Sequence, residues 1–211
     1  MPDIQQARSW YIDQDPVHGF DHVLRVLRMA EHIGSRLEAD MEILRAAALL
    51  HDAAGAHPGD PGVRKDHEQL SAQFARQVLE GQGWESDAIE AVLHCIRAHR
   101  YRGNEAPESL EARILFDADK LDVLGAFGIA RTIGFAMQAG QPVYASPSDQ
   151  FLRTGEAEPG EPHSAYHEYL FKLRNVRKRL FTDIARSIAE ERISLMDRFF
   201  EALAEEEAGQ D

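Results

Sequence analysis

The feature that most limits what this chain can become is an apolar run, Ile43 to Leu50, broken only by Arg45 and ending in His51-Asp52. A helix with no polar face is a buried helix. Two ionisable groups at its end must be paired, neutralised or bound to a metal. Adjacent residues on a regular helix point about 100° apart, so a neighbouring His and Asp converge on one ion only near the helix end. Ala53, Ala54, Gly55 and a loop rich in Gly and Pro follow directly.

Composition narrows the partners. Lys plus Arg number 23 against 36 Asp plus Glu, a net charge of −13 in 211 residues. That balance argues against broad electrostatic capture of nucleic acid or anionic lipid, but leaves room for a small anion held by a few local cations. Cys95 is the single cysteine, which excludes an intramolecular disulfide and a thiolate metal cluster. No signal peptide opens the chain and no stretch reaches membrane-spanning length, so a soluble cytoplasmic protein is expected.

Helical spacing organises nearly everything else. Residues 3–12 read as a short helix with Trp10 and Tyr11. Val23, Leu24, Leu27, Ala30 and Ile33 mark a helix from Phe20 to about Leu37, and Asp40 is placed to cap the next one. Asp66-His67-Glu68-Gln69 resembles a capping box, leading into a helix with Leu70, Phe74 and Val78 on one face. Ser86 is placed to cap a fourth, with Ile89, Val92, Leu93 and Ile96 inward. Ser109 starts a fifth, from Leu110 to roughly Ala126, and Gly125, Gly128 and Gly134 would let backbones approach there. Residues 138–163 form the longest irregular stretch, a candidate lid. Ser164 is placed to cap a sixth helix reaching Leu180, and a last one starts near Thr182. The expectation is an all-α bundle of about six to eight helices with no significant sheet, packed around 41–52 as a single domain. Its core would be 18–135, with C-terminal helices over 164–207.

Three pieces can carry chemistry: His22 in Phe20-Asp21-His22-Val23-Leu24-Arg25, the pair His51-Asp52, and Asp119 in Asp117-Ala118-Asp119-Lys120-Leu121-Asp122. Two neutral imidazoles and two carboxylates make a nitrogen–oxygen site, suited to one octahedral divalent ion: manganese, ferrous iron, cobalt, nickel or magnesium. Such a site leaves positions open for water and substrate, and the lack of cysteine ligands disfavours structural zinc. Each piece alone equally fits a satisfied core histidine, a cap or a solvated face. The apolar lead-in to His51-Asp52 is what tips the reading toward a metal.

These residues resemble the HD superfamily of metal-dependent phosphohydrolases, whose pattern is a His, a His-Asp pair at a helix end, and a distant Asp. The resemblance runs through His22-x-x-Arg25-Val26, Ala47 to Asp52, Asp117 to Arg131, and His167-x-x-x-x-Lys172-Leu173, and is nearest to small bacterial members, some of which act as nucleotide pyrophosphohydrolases. It implies metal ligation by His22, His51, Asp52 and Asp119. His67 and His99 stand where related sequences often carry His, and are read as substrate contacts, with a second cation as the alternative. One departure is Gly55, where relatives often carry an acid three positions after the pair. The following loop, with His57 and Asp60, also differs, which leaves the general base unassigned.

The implied chemistry is hydrolysis by a metal-activated water, since a divalent ion lowers the pKa of bound water and polarises a phosphoryl oxygen. Asp52 or Asp119 would accept a hydrogen bond from that water. Arg25, on the helix face of His22, with Lys120 and Lys172, would offset charge on the phosphoryl oxygens. His18, four residues before His22, is a further substrate-side candidate. Asp122, one turn after Asp119, would orient a ligand, whereas Asp117 is expected on the helix surface. His57, His94 and His163 read as ordinary, and Cys95 as a small core residue. The expected reaction is a nucleoside triphosphate cleaved to monophosphate and pyrophosphate. A phosphomonoesterase, a cyclic-nucleotide phosphodiesterase and a non-catalytic metal- or nucleotide-binding regulatory module remain alternatives. A homodimer is left open, and neither nucleic acid nor membrane is expected as a partner.

Overall fold

The computed structural model describes residues 1–11, 19–54, 67–100 and 105–209. Every regular element among them is helical, as the spacing predicts: ten α-helices and one 3₁₀ helix. No described helix is long and apolar enough to cross a membrane. The backbone groups into two compact units, residues 1–120 and 121–211.

In the first unit, α3 (Met41–Leu50) is the helix the others pack on. Asp40 caps it, its carboxylate accepting from Glu42 N at 2.9 Å and Ile43 N at 3.1 Å. Ile43, Leu44 and the whole run Ala46–Leu50 are buried. Packed against it are α2 (Phe20–Gly34), α5 (Ser86–Ala98), α4 (His67–Gly81) and the short α1 (Ile4–Arg8). Val23, Leu27, Ala30 and Ile33 of α2, and Ile89, Val92, Leu93 and Ile96 of α5, point inward as their periodicity requires.

Several elements differ from the sequence expectation. α1 is shorter, ending at Arg8, and α2 stops at Gly34 rather than Leu37. Ser86 begins α5 as its first residue, preceded by Glu85, which makes no side-chain cap. On α4 the buried stripe is Ser71, Ala72, Ala75 and Leu79, while Leu70 is exposed. Small side chains there let α4 approach α5 closely, a fit that apolarity alone does not reveal.

α6 (Leu110–Leu121) ends five residues earlier than expected, and α7 (Gly125–Gln138) begins as a separate helix. The turn between them needs glycine twice. Gly125 has φ +72, a left-handed value that a side chain resists. A Cβ on Gly128 would sit 2.2 Å from the Val123 carbonyl oxygen. Gly134 has nothing near it and makes no close approach.

The stretch 138–163 is not wholly irregular: it contains α8 (Asp149–Thr154), capped by Ser148. The expected sixth helix divides into α9 (Ala165–Phe171) and a 3₁₀ segment, Leu173–Arg179. α10 (Asp183–Glu207), capped by Thr182, is the spine of the second unit and packs against α7 and the 3₁₀ segment.

Candidate metal centre

The buried helix α3 delivers His51 and Asp52 at its C-terminal end, where the helix gives way to a turn. His51 is fully buried and Asp52 nearly so. His51 Nδ1 lies 2.8 Å from the Ala48 carbonyl oxygen and donates to it, which leaves the Nε2 lone pair facing inward. His99, just past the end of α5, repeats the arrangement, donating from Nδ1 to the Ile96 carbonyl. From α2 comes His22, also buried.

These groups converge. His22 Nε2 is 3.4 Å from His51 Nε2 and 3.9 Å from Asp52 Oδ2, and His51 Nε2 is 3.5 Å from Asp52 Oδ2. Two cis ligands of an octahedral ion with bonds of about 2.1 Å stand roughly 3 Å apart, so these donors need to close by less than 1 Å to share one. His22, His51 and Asp52 form one compact donor set. Asp119 joins at its edge through Oδ1, 3.4 Å from His22 Nε2, while its Oδ2 accepts from the Lys120 ammonium. Lys120 Nζ also lies over the Phe116 ring, 5.4 Å from its centroid.

A second donor set shares Asp52. His67 and His99 bring their Nε2 atoms to 3.6 and 3.5 Å from Asp52 Oδ1. That oxygen is buried and has no hydrogen-bond partner among the described residues. A buried carboxylate oxygen without a donor is costly unless a cation meets it. The residues present therefore fit a divalent metal both in ligand type and in what they leave unsatisfied.

The electrostatics agree. Burial drives the His51 imidazole down from 6.5 to about 4, against the pull of Asp52, so it is neutral and can act as a ligand at neutral pH. Burial alone would raise both carboxyls. For Asp52 the opposing attraction comes from His51, His99 and His22, and for Asp119 chiefly from Lys120 and His22; both end well below the usual carboxylate range. His99 moves the other way: burial lowers it, but the Asp52 carboxylate outweighs burial and raises it.

Other expected site residues fall differently. Asp117 is fully buried, not a helix-surface residue, because α6 turns that side into the protein interior. Asp122 pairs with Arg131 and faces the partly buried Arg192 within the second unit. Lys172 pairs with Glu168 at 2.6 Å, and Arg25 sits half-buried on α2. His94 is structural: its ring nitrogens meet Glu105 at 2.7 Å and the Glu108 N–H at 3.1 Å. His163 is half-exposed, 3.9 Å from Glu168. Cys95 is buried, and burial pushes its thiol up to about 12. His18, Gly55, His57, Asp60 and Asp66 lie outside the described residues.

Sequence reasoning did not single out Glu68. It is buried, accepts from Arg100 at 3.0 and 3.2 Å, and lies 3.5 Å from His67 Nδ1. This pair ties the start of α4 to the end of α5, the two places that present His67 and His99.

Comparison with known proteins agrees with this geometry. Residues 19–124 match the HD domain, a span that contains all four expected ligands. The chain belongs to the HD family. The YpgQ protein of Bacillus subtilis (strain 168) is 34% identical over 98% of this chain and 95% of its own length. The crystal structure of Bacillus subtilis YpgQ in complex with ADP superposes with a TM-score of 0.72 at 28% identity, covering 97% of each chain. An HD-superfamily hydrolase from Bacillus thuringiensis gives 0.73 at 26% identity, covering 98% of this chain and 95% of that one. The protein is a metal-dependent phosphohydrolase of the HD type.

Proposed function

We propose that this HD enzyme hydrolyses nucleoside triphosphates to the monophosphate and pyrophosphate, using a divalent cation, manganese first, held by His22, His51, Asp52 and Asp119. The observation that carries the reading is the convergence of two imidazole Nε2 atoms and an ionised carboxylate at the end of a buried helix. A relative of similar length that binds ADP supports a nucleotide as substrate.

When bound, the cation supplies acidity to water and polarises a phosphoryl oxygen. The chain's own groups do the rest. Asp52 or Asp119, both ionised, accepts a hydrogen bond from the attacking water and aims its lone pair at the α-phosphorus. The bridging oxygen between the α- and β-phosphorus leaves with pyrophosphate. Lys120, beside Asp119, meets charge on the phosphoryl oxygens, with Arg25 and His18 as further substrate contacts. His67, 20% exposed at its side chain, faces the same carboxylate and stands ready to touch substrate.

A second reading is favoured by the unpartnered Asp52 Oδ1. His67, His99 and Asp52 would hold a second cation, a centre suited to a phosphomonoester or cyclic phosphodiester. One experiment separates the two. Metal-stripped protein is incubated with a nucleotide panel and manganese, cobalt or magnesium, and pyrophosphate and orthophosphate are assayed separately. Pyrophosphate release supports the first reading. Orthophosphate alone, or a linear monophosphate formed from a cyclic nucleotide with no free phosphate, supports the second when two metals are bound per chain. Metal binding without any product points to a regulatory module.

A further inference from the structure

An α-helix leaves its last four carbonyls without intrahelical partners, and each must find a donor elsewhere. At the end of α3 three of them do so in three different ways. The Ala48 carbonyl accepts from His51 Nδ1, and the Leu50 carbonyl from Ala53 N at 3.2 Å. The Leu49 carbonyl accepts from the hydroxyl of Tyr11 at 2.8 Å, a residue 38 positions away in sequence. Leu49 immediately precedes Leu50 and the His51-Asp52 pair, so this bond anchors the turn from which both ligands project.

The same side chain also reaches α2. The Tyr11 ring packs on Phe20, with centroids 5.5 Å apart and planes inclined by 47°. Phe20 is the first residue of α2, two positions before His22. Tyr11 therefore touches both helices that deliver the His22–His51–Asp52 set, with its hydroxyl on one and its ring on the other.

We infer that Tyr11 is a positioning residue for the metal centre: it fixes the end of α3 against the start of α2 and so sets the separation of the His22 and His51 nitrogens. Tyr11 touches neither substrate nor metal and acts through the Leu49 carbonyl and Phe20. The inference rests on the metal reading above.

The test is calorimetric titration of manganese into the metal-stripped full chain, for wild type, Tyr11→Phe and Tyr11→Leu, with melting curves and steady-state kinetics alongside. Tyr11→Phe keeps the ring and loses the bond to Leu49. Its manganese affinity should fall roughly tenfold, the low end for partners that orient ligands. Turnover should drop while KM for the nucleotide stays unchanged. Tyr11→Leu, which also loses the ring contact, should bind still more weakly. A lowered melting temperature with wild-type manganese affinity in the folded variants would reduce Tyr11 to a stability role and overturn the inference. Failure of the wild-type protein itself to bind manganese would instead overturn the metal reading.

Discussion

Acid should destabilise the metal-free protein in a way traceable to His51. Its folded pKa is about 4 against an ordinary 6.5, because burial penalises the imidazolium. Below pH 6.5 the unfolded chain takes up a proton that the native state refuses. The stability contributed by this neutral histidine is therefore complete above 6.5 and is lost as pH falls toward 4. At about 1.4 kcal/mol per pH unit the whole window is worth about 3 kcal/mol, of which about 2 kcal/mol is gone by about pH 5. His99 works in the opposite direction, since Asp52 raises it against the effect of burial, giving stability that is complete below its unfolded value and lost as pH rises. Asp52 and Asp119, held well below the carboxylate range, stay ionised in the native state throughout.

Comparing wild type with His51→Asn removes the His51 titration and leaves the titrations of groups away from this cluster common to both proteins. Both proteins would be stripped of metal and unfolded in urea at about pH 7 and about pH 5. Tryptophan fluorescence is a clean monitor, because Trp10 and Trp84 both lie in the first compact unit. Wild type should lose about 2 kcal/mol more than the variant between the two conditions. Equal losses in the two proteins would mean that His51 titrates as an ordinary histidine, and the burial argument for its neutrality would fail.

Three further outcomes are expected. Asp52→Ala should abolish turnover while far-UV circular dichroism keeps the wild-type helical signal; retained activity would remove Asp52 from the chemistry. Lys120→Ala should raise KM with metal content unchanged by elemental analysis, so loss of metal in this variant would contradict its assignment as a phosphate contact. Gly128→Ala would place a methyl 2.2 Å from the Val123 carbonyl oxygen, and should cost more than about 1 kcal/mol of stability in thermal melts.

What the chain discloses in advance is what is local. Ile43–Leu50 lacks a polar face, so its burial is legible, and Asp40 caps it through its own neighbours. The His51-Asp52 pair announces itself because two ionisable groups end an apolar run. The break after Leu121 is not legible in the same way, since apolar residues continue through it. It depends on Gly125 taking a left-handed φ and on Gly128 fitting against Val123, both set by three-dimensional contact. Glu68 is hidden by its sequence context. It looks like part of a capping box, whereas its guanidinium partner, Arg100, lies 32 residues away. Leu70 shows the reverse error, apolar but exposed, because the smaller Ser71, Ala72 and Ala75 are what α4 turns inward. The burial of Asp117 likewise comes from how α6 is packed rather than from its flanking residues.

The central claim is that His22, His51 and Asp52 together hold a divalent cation. Manganese titration of the metal-stripped protein, followed by electron paramagnetic resonance and run in parallel on Asp52→Asn, addresses it most directly. Saturable binding in the wild type that is lost in the variant, with both proteins fully folded, is the predicted result. Absence of saturable binding in the wild type, or identical binding curves for the two proteins, would contradict the account.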